Sequence, residues 1–322
     1  MNHSFDARVI AVFGRDLIVR DAGGAELRAR VRGRRLNVVC GDDVVCESDA
    51  THREVNVVEG RARRTALYRS NTRGVAEPIV ANISRLFVVL APKPAPDLFV
   101  VDRYIAAATS AAIDSTLVLN KKDLPIDDEL KAELEAYARA GYRTIACSAR
   151  SGEGIDELLK TAANCVAALV GQSGVGKSSL VRRLIPLAEI NVGELDRDEE
   201  GRHTTTTSRM FDLPLGGQLI DSPGVRDFAP AIEQLDARDL GFSDVARLAP
   251  KCRFKDCLHM REPNCAVRAA AEAEASAGAR IATDAAIGGM HPRRYESYRR
   301  LRRLYDELVK ARGPKYRPDS NR

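Results

Sequence analysis

The sequence predicts an α/β fold in three parts: a small β-barrel, a parallel sheet covered by helices, and a mostly helical tail. Three observations carry that expectation. Five short alternating or β-branched segments crowd into roughly the first sixty residues. From about residue 78, strand-like and helix-like segments alternate, the pattern of a parallel sheet covered on both faces. Past Pro230 no clear strand follows, only a cysteine-bearing loop and Ala- and Arg-rich helical stretches. At 322 residues the chain is long for one core and suits two or three. The expected divisions are 1–70, 71–230 and 231–322.

In the first part the strand-like segments are Ala7–Phe13, Asp16–Arg20, Ala25–Val31, Asp43–Glu47 and Glu54–Glu59. Gly14, Gly23-Gly24 and Gly41-Asp42-Asp43 punctuate them. Five short strands suit a closed barrel. The OB-fold is the five-stranded form used on oligonucleotides, and an SH3-like barrel fits the same pattern. Arg28, Arg30, Arg32, Arg34 and Arg35 run across the third strand and its exit, reading either as a solvated face or as a surface turned to RNA.

In the second part the strands read as Arg85–Leu90, Thr116–Leu119, Thr144–Cys147, Cys165–Val170 and Gln218–Ile220. The helices read as Leu98–Ser110, Asp128–Ala140, Gly154–Ala162 and Lys177–Leu184, with a Pro92, Pro94, Pro96 loop after the first strand. The tail offers helices over Val267–Ala277 and Pro292–Ala311 before a polar end.

Composition excludes several classes. With 44% hydrophobic and 30% charged residues, wholesale disorder is not expected. No window reaches about 18 uncharged apolar residues, and the start lacks a signal-peptide core, so neither a membrane span nor secretion is expected. Seven cysteines do not read as a disulfide framework and suit a reducing cytoplasm. The net charge of +5 is uneven: +4 in residues 1–75, −5 in 76–229 and +6 in 230–322. Of 50 basic residues 40 are arginine, whose fork suits phosphate and stacked bases, although Arg-favouring codons yield the same composition.

The strongest local signal is Gly171-Gln172-Ser173-Gly174-Val175-Gly176-Lys177-Ser178, a G-x-x-x-x-G-K-[ST] run between apolar CVAALV and helical SLVRRLI. Glycines let successive N–H groups turn inward onto phosphate oxygens, and the helix N-terminus adds positive potential. Lys177 is expected to reach the β- and γ-phosphates and Ser178 to ligate Mg²⁺. Asn120-Lys121-Lys122-Asp123 closes the strand STLVL and fits a guanine reader. Asp123 can accept from guanine N1–H and its amine, a donor pair adenine lacks. Asn120 would tie that loop to the phosphate loop, and the Lys121 stem would lie over the base. Ser148-Ala149, ending TIACSAR, would support the guanine oxygen.

Asp221-Ser222-Pro223-Gly224 follows the strand QLI. Asp221 is expected to hold Mg²⁺ through water, and the Gly224 N–H to meet the γ-phosphate. Gly201-Arg202-His203-Thr204-Thr205-Thr206-Thr207 reads as a first switch loop in which a threonine, taken here as Thr205, completes the metal shell. Val225 follows Gly224 where many GTPases place a water-orienting glutamine; His203 is the candidate to orient water instead.

The order of these parts is unusual. The guanine reader at 120 and Ser148-Ala149 precede the phosphate loop at 171, the threonine loop and Asp221. One sheet can still be built if the chain is circularly permuted, because domain termini lie close together. The second switch then leads straight through Val225-Arg226-Asp227-Phe228 into the tail. There Cys252-x4-Cys257-x-His259-x5-Cys265 gathers a Cys₃His set suited to one structural Zn²⁺. Cys40, Cys46, Cys147 and Cys165 read as buried fillers, and Lys251, Arg253, Lys255 and Arg261 put phosphate-seeking charge around the knuckle.

Taken together, GQSGVGKSSL, GRHTTTT, DSPGVRDF, the knuckle and the permuted order resemble the ribosome-small-subunit-dependent GTPase A family (RsgA/YjeQ), from barrel to tail. The resemblance implies a cytoplasmic GTPase that binds the 30S subunit and 16S rRNA late in maturation, through an OB-fold and a zinc domain, with hydrolysis stimulated by the subunit. It carries nucleotide contacts onto Asn120, Lys121, Lys122, Asp123 and Gly171 to Ser179, and zinc onto Cys252, Cys257, His259 and Cys265. Many members carry a longer basic extension ahead of the barrel, whereas the first strand here is expected near residue 7.

The full expectation is an α/β, circularly permuted P-loop GTPase domain with an N-terminal OB-fold barrel and a C-terminal zinc-binding helical domain. It is a monomer with no membrane partner that hydrolyses GTP to GDP and phosphate with Mg²⁺. The competing reading is an RNA-docking module whose GTP state controls release, with hydrolysis incidental.

Overall fold

A computed structural model describes residues 3–14, 16–32, 36–49, 54–71, 74–185, 208–226, 228–277 and 289–312. His203, Thr205, Arg34 and Arg35 lie outside the described residues.

The N-terminal strands are β1 (His3–Phe13), β2 (Asp16–Asp21), β3 (Glu26–Val31), β4 (Asp43–Asp49) and β5 (Glu54–Gly60). They pair in the order β1-β2-β3-β5-β4, and β4 returns to β1 to close the barrel. The parallel β3–β5 pairing, with Ala29 opposite Val55, gives the five-stranded OB arrangement rather than an SH3-like one. Alternation buries Val9, Leu17, Val19, Ala29, Val44, Cys46 and Val57 inside. The first strand starts four residues earlier than its expected Ala7.

A hairpin of β6 (Ala66–Ser70) and β7 (Ala76–Ala81) follows and straddles residues 70 and 71. It is absent from the sequence expectation because Pro78 sits inside it, and proline argues against a strand. Here Pro78 lies on an edge strand of a two-stranded sheet and pairs with Tyr68 at a register shift, both places where a ladder tolerates it.

The central sheet contains β8 (Arg85–Leu90), β9 (Asp114–Leu119), β10 (Arg143–Ala146), β11 (Val166–Val170), β12 (Ser208–Asp212) and β13 (Gln218–Asp221). The spatial order is β10-β9-β8-β11-β13-β12, parallel except for β12, an unforeseen strand antiparallel to β13. Helices α1 (Leu98–Ser110) and α2 (Asp128–Arg139) cover one face; α3 (Ile155–Ala162) and α4 (Lys177–Leu184) cover the other. Strand β8 serves both layers, sending Leu86, Val88 and Leu90 to one core and Phe87 and Val89 to the other. Through β12 the sheet continues into β1 of the barrel, with Ala11 opposite Arg209.

After β13 come the short α5 (Pro223–Arg226), α6 (Ser243–Leu248), α7 (Ala266–Ala277) and the long α8 (Pro292–Arg312). The tail packs its own core, including Leu240, Phe242, Val245, Cys257, Cys265, Met290, Tyr298 and Leu301. Charge joins it to the sheet's helices. Arg294, 1% exposed, donates to both Asp244 oxygens at 2.7 and 3.0 Å and to Asp102 at 2.7 Å; Arg293 reaches Asp102 and Glu133. A buried guanidinium with every neighbour compensated is tolerable, and loss of one partner would strand a charge. No helix among the described residues is long and apolar enough to cross a membrane.

Candidate functional site

Three loops meet at the carboxyl ends of β9, β10 and β11, the edge where parallel sheets hold ligands. Asn120 ties them together. It is 1% exposed; its Nδ2 donates to the Val175 carbonyl at 2.8 Å, and its Oδ1 accepts from the Ala149 N–H at 3.0 Å. Gly176 makes this possible. It stands at φ +97° ahead of α4, and a Cβ there would lie 2.3 Å from the Asn120 amide nitrogen.

Lys121, itself in the left-handed region, sends its ammonium to the carbonyls of Gly174 at 2.6 Å and Lys93 at 2.8 Å. Asp123 is exposed at the rim, where Ser148 donates to it at 2.6 Å. That hydroxyl holds the Asp123 carboxyl below its ordinary value, keeping it an acceptor. Lys122 points away, onto Glu153 at 2.6 Å, so among the four reader residues it is the one aimed elsewhere.

The phosphate loop runs Gly171 to Ser178, with Gly171, Gly174 and Gly176 all at positive φ. Val175 anchors it in the core. Gln172 accepts from the Asp97 N–H at 2.7 Å, pinning the loop to the start of α1. Lys177 is buried, and its ammonium donates to the Gly171 and Gln172 carbonyls at 2.6 and 2.7 Å. Ser173 and Ser179 are exposed.

Asp221 ends β13 beside this loop, and Gly224 lies within α5. Arg226, which the sequence places only as part of the link into the tail, has a site contact of its own. Its guanidinium grips Asp221 with two N–H groups, one at 2.7 Å, and donates with the third to the Ser178 hydroxyl at 2.8 Å. Nothing local signals this, since the third partner lies 48 residues away in sequence. Beyond α5, Phe228 packs on Tyr104 with ring centroids 5.4 Å apart, and Ala231 N–H donates to Tyr68 in β6 at 2.9 Å.

In the tail, Cys252, Cys257, His259 and Cys265 bring their ligand atoms within 4.8 Å of one another. Both the Cys252 and Cys265 sulfurs lie 3.5 Å from His259 Nδ1, and 4.0 Å from each other. Tetrahedral bonds of about 2.3 Å to sulfur and 2.0–2.1 Å to nitrogen would separate ligand atoms by roughly 3.5–3.8 Å. The cluster therefore fits a metal ion. Burial lowers His259, leaving its ring neutral, and pushes the Cys257 thiol up to about 12, so thiolates here need a cation's field.

Two residues outside the spacing pattern brace the knuckle's backbone. Glu262 accepts three N–H groups at 2.9 Å, from Leu258, Met260 and Arg261, and Tyr295 of α8 donates to the His259 carbonyl at 2.7 Å. The other cysteines differ in burial: Cys40, Cys46 and Cys147 are buried, with Cys46 and Cys147 raised to about 11 by desolvation, while Cys165 is only half-buried.

Comparison with known proteins bears on this arrangement. A family model described as RsgA GTPase matches residues 61–230. A Pseudomonas aeruginosa protein named small ribosomal subunit biogenesis GTPase RsgA is 40% identical over 301 residues, covering 91% of this chain and 84% of that one. In fold, YjeQ from Thermotoga maritima aligns with 95% of this chain and 99% of its own, at TM-score 0.67 and 24% identity. YloQ, described as a circularly permuted GTPase, aligns over 98% of both chains at TM-score 0.68 and 22% identity. A family match across half the chain and 40% identity across nearly all of it place this protein in the RsgA GTPase family, as a GTP hydrolase.

Proposed function

We propose that this GTPase serves the biogenesis of the small ribosomal subunit, docking on the 30S particle through 16S rRNA and hydrolysing GTP faster when docked. The observation that carries the reading is a guanine-type site in permuted order whose second switch runs directly into a basic, knuckle-bearing tail, in a chain so similar to a small ribosomal subunit biogenesis GTPase. On the barrel, Arg28 and Arg30 are exposed; around the knuckle Lys251, Arg253, Lys255 and Arg261 are exposed as well. Cytoplasmic location and action as a monomer complete the proposal, with domains at 1–70, 71–230 and 231–322.

Within the site, Asp123 reads guanine while Asn120 and Lys121 hold the loops against each other, and the Ser148-Ala149 backbone meets the guanine oxygen. Backbone N–H groups from Gly171 to Ser178 cradle the phosphates. Lys177 leaves its carbonyls for the β- and γ-phosphates. Ser178, Asp221 and Thr205 hold Mg²⁺, which when bound neutralises charge on those phosphates. The cationic Arg226 fork already seated between Ser178 and Asp221 supports that donor pair as a cation site. Gly224 N–H meets the γ-phosphate, and His203 orients the attacking water, because the buried Val225 side chain has no polar atom to do so. The knuckle holds one structural Zn²⁺.

Phosphate release measured with 30S, 50S and 70S particles tests the reading. Stimulation by 30S alone is expected, and equal rates with and without 30S would remove the subunit from the mechanism.

A further inference from the structure

Arg226 satisfies in one side chain two of the three groups assigned to the metal, Asp221 and Ser178. Asp221 is its carboxylate partner through both oxygens, and Ser178 Oγ accepts from its remaining Nη1 at 2.8 Å. The pair is half-buried, the Arg226 and Asp221 side chains being 26% and 12% exposed, so solvent screens it only partly. The fork leaves lone pairs on both Asp221 oxygens and on Ser178 Oγ, but it sets a full positive charge against the two groups at 2.7–2.8 Å, where a divalent ion facing the same groups would meet like charge.

We propose that Arg226 and Mg²⁺ compete for one cation position, so that metal entry with the nucleotide is an exchange that expels the guanidinium from Asp221 and Ser178. This rests on the assignment of Asp221 and Ser178 as the metal-holding groups. The exchange has a mechanical outlet. Arg226 ends α5, and its own carbonyl accepts from the Gly171 N–H at 3.3 Å, so the fork and the phosphate loop are held through the same residue. Two residues on, Phe228 leans on Tyr104, and the chain then joins β6 at Tyr68. Expelling the fork thus loosens the segment that leads into the tail, and binding of the metal is read there as a change of contacts.

The test is Mn²⁺ binding to the GDP-loaded full-length protein, followed by electron paramagnetic resonance. Arg226→Ala and Arg226→Gln should bind Mn²⁺ about tenfold more tightly than the unaltered protein, the scale of losing one charge-assisted contact to a competitor. Arg226→Lys should lie between. Unchanged or weaker binding in a folded Ala or Gln variant overturns the exchange. Asp221→Asn separates the two levels: if it leaves Mn²⁺ affinity unaltered, the assignment of the metal site is wrong. If it weakens Mn²⁺ while the Arg226 variants gain nothing, only the exchange falls. A measurement without any substitution follows the Arg226 Nε–H proton by NMR. Added Mg²⁺ should shift that signal and speed its exchange with water in the GDP-loaded protein, and an unmoved signal overturns the proposal.

Discussion

The base-reading edge and the phosphate edge of the site are built on opposite terms. At the base edge side chains hold the pocket's shape: Asn120 bonds the phosphate loop and the Ala149 loop, Lys121 bonds the phosphate loop again and the Lys93 loop, and Ser148 orients Asp123. Asp123 itself stays exposed, held but not consumed. At the phosphate edge the cations are bonded to acceptors of the protein itself, Lys177 to loop carbonyls and Arg226 to Asp221 and Ser178. On the proposed assignments, the contrast teaches that base discrimination is stored in packing, whereas the phosphate edge would have to exchange contacts before it acts.

The largest effect that would sharpen this comparison is at Asp123. Asp123→Asn should lower GTP affinity on the order of 10³-fold or more and shift preference toward xanthine, whose 2-oxo group can accept from the amide. Competition binding with GTP, ATP and XTP measures it; intact guanine selectivity would break the assignment of the base edge. Next, Lys177→Ala should cost on the order of 10²–10³ in kcat while leaving base preference alone. A shift in base preference there would show that the two edges are not separable.

Asn120→Ala strikes the joint between them. It leaves the Val175 carbonyl without its donor and the Ala149 N–H without its acceptor, so GDP affinity should fall about tenfold to a hundredfold, with thermal unfolding at lower temperature. Calorimetric titration and a melting curve together test it, and wild-type values in both would refute the tie. The smallest change is Ser148→Ala. With its hydroxyl donor gone, the Asp123 carboxyl rises toward its ordinary value. Guanine binding needs the carboxylate, so as pH falls the variant should lose GDP affinity at a higher pH than the parent, with a loss of about fivefold or less at neutrality. Superimposable pH profiles would show that Ser148 does not hold Asp123.

How much of this was legible follows from where the partners lie along the chain. The phosphate loop, the guanine reader and the knuckle are each contiguous or nearly so, and helices α1 and α4 run over the same residues as their sequence pattern. Strand β12 escaped because SRMFD is a short run with no turn signal ahead of it, and it is a strand only because β13 and β1 flank it. The hairpin β6–β7 was hidden by Pro78. Arg226 and Tyr295 were illegible for a different reason: their polar partners on Ser178 and His259 are 48 and 36 residues away.

By itself the sequence determined which loops are the candidates for phosphate, guanine and metal, and their permuted order along the chain. Those are local properties, set by glycine's backbone freedom, side-chain type and spacing. Only the tertiary structure decided the barrel's type, through the β3–β5 and β1–β4 pairings, and the merging of barrel and GTPase sheet through β12. It also decided that one arginine stands between Asp221 and Ser178, and that buried Arg294 fastens the tail to α1. Such contacts join residues far apart in the chain, and their energy exists only once packing has brought them together and removed the water between them.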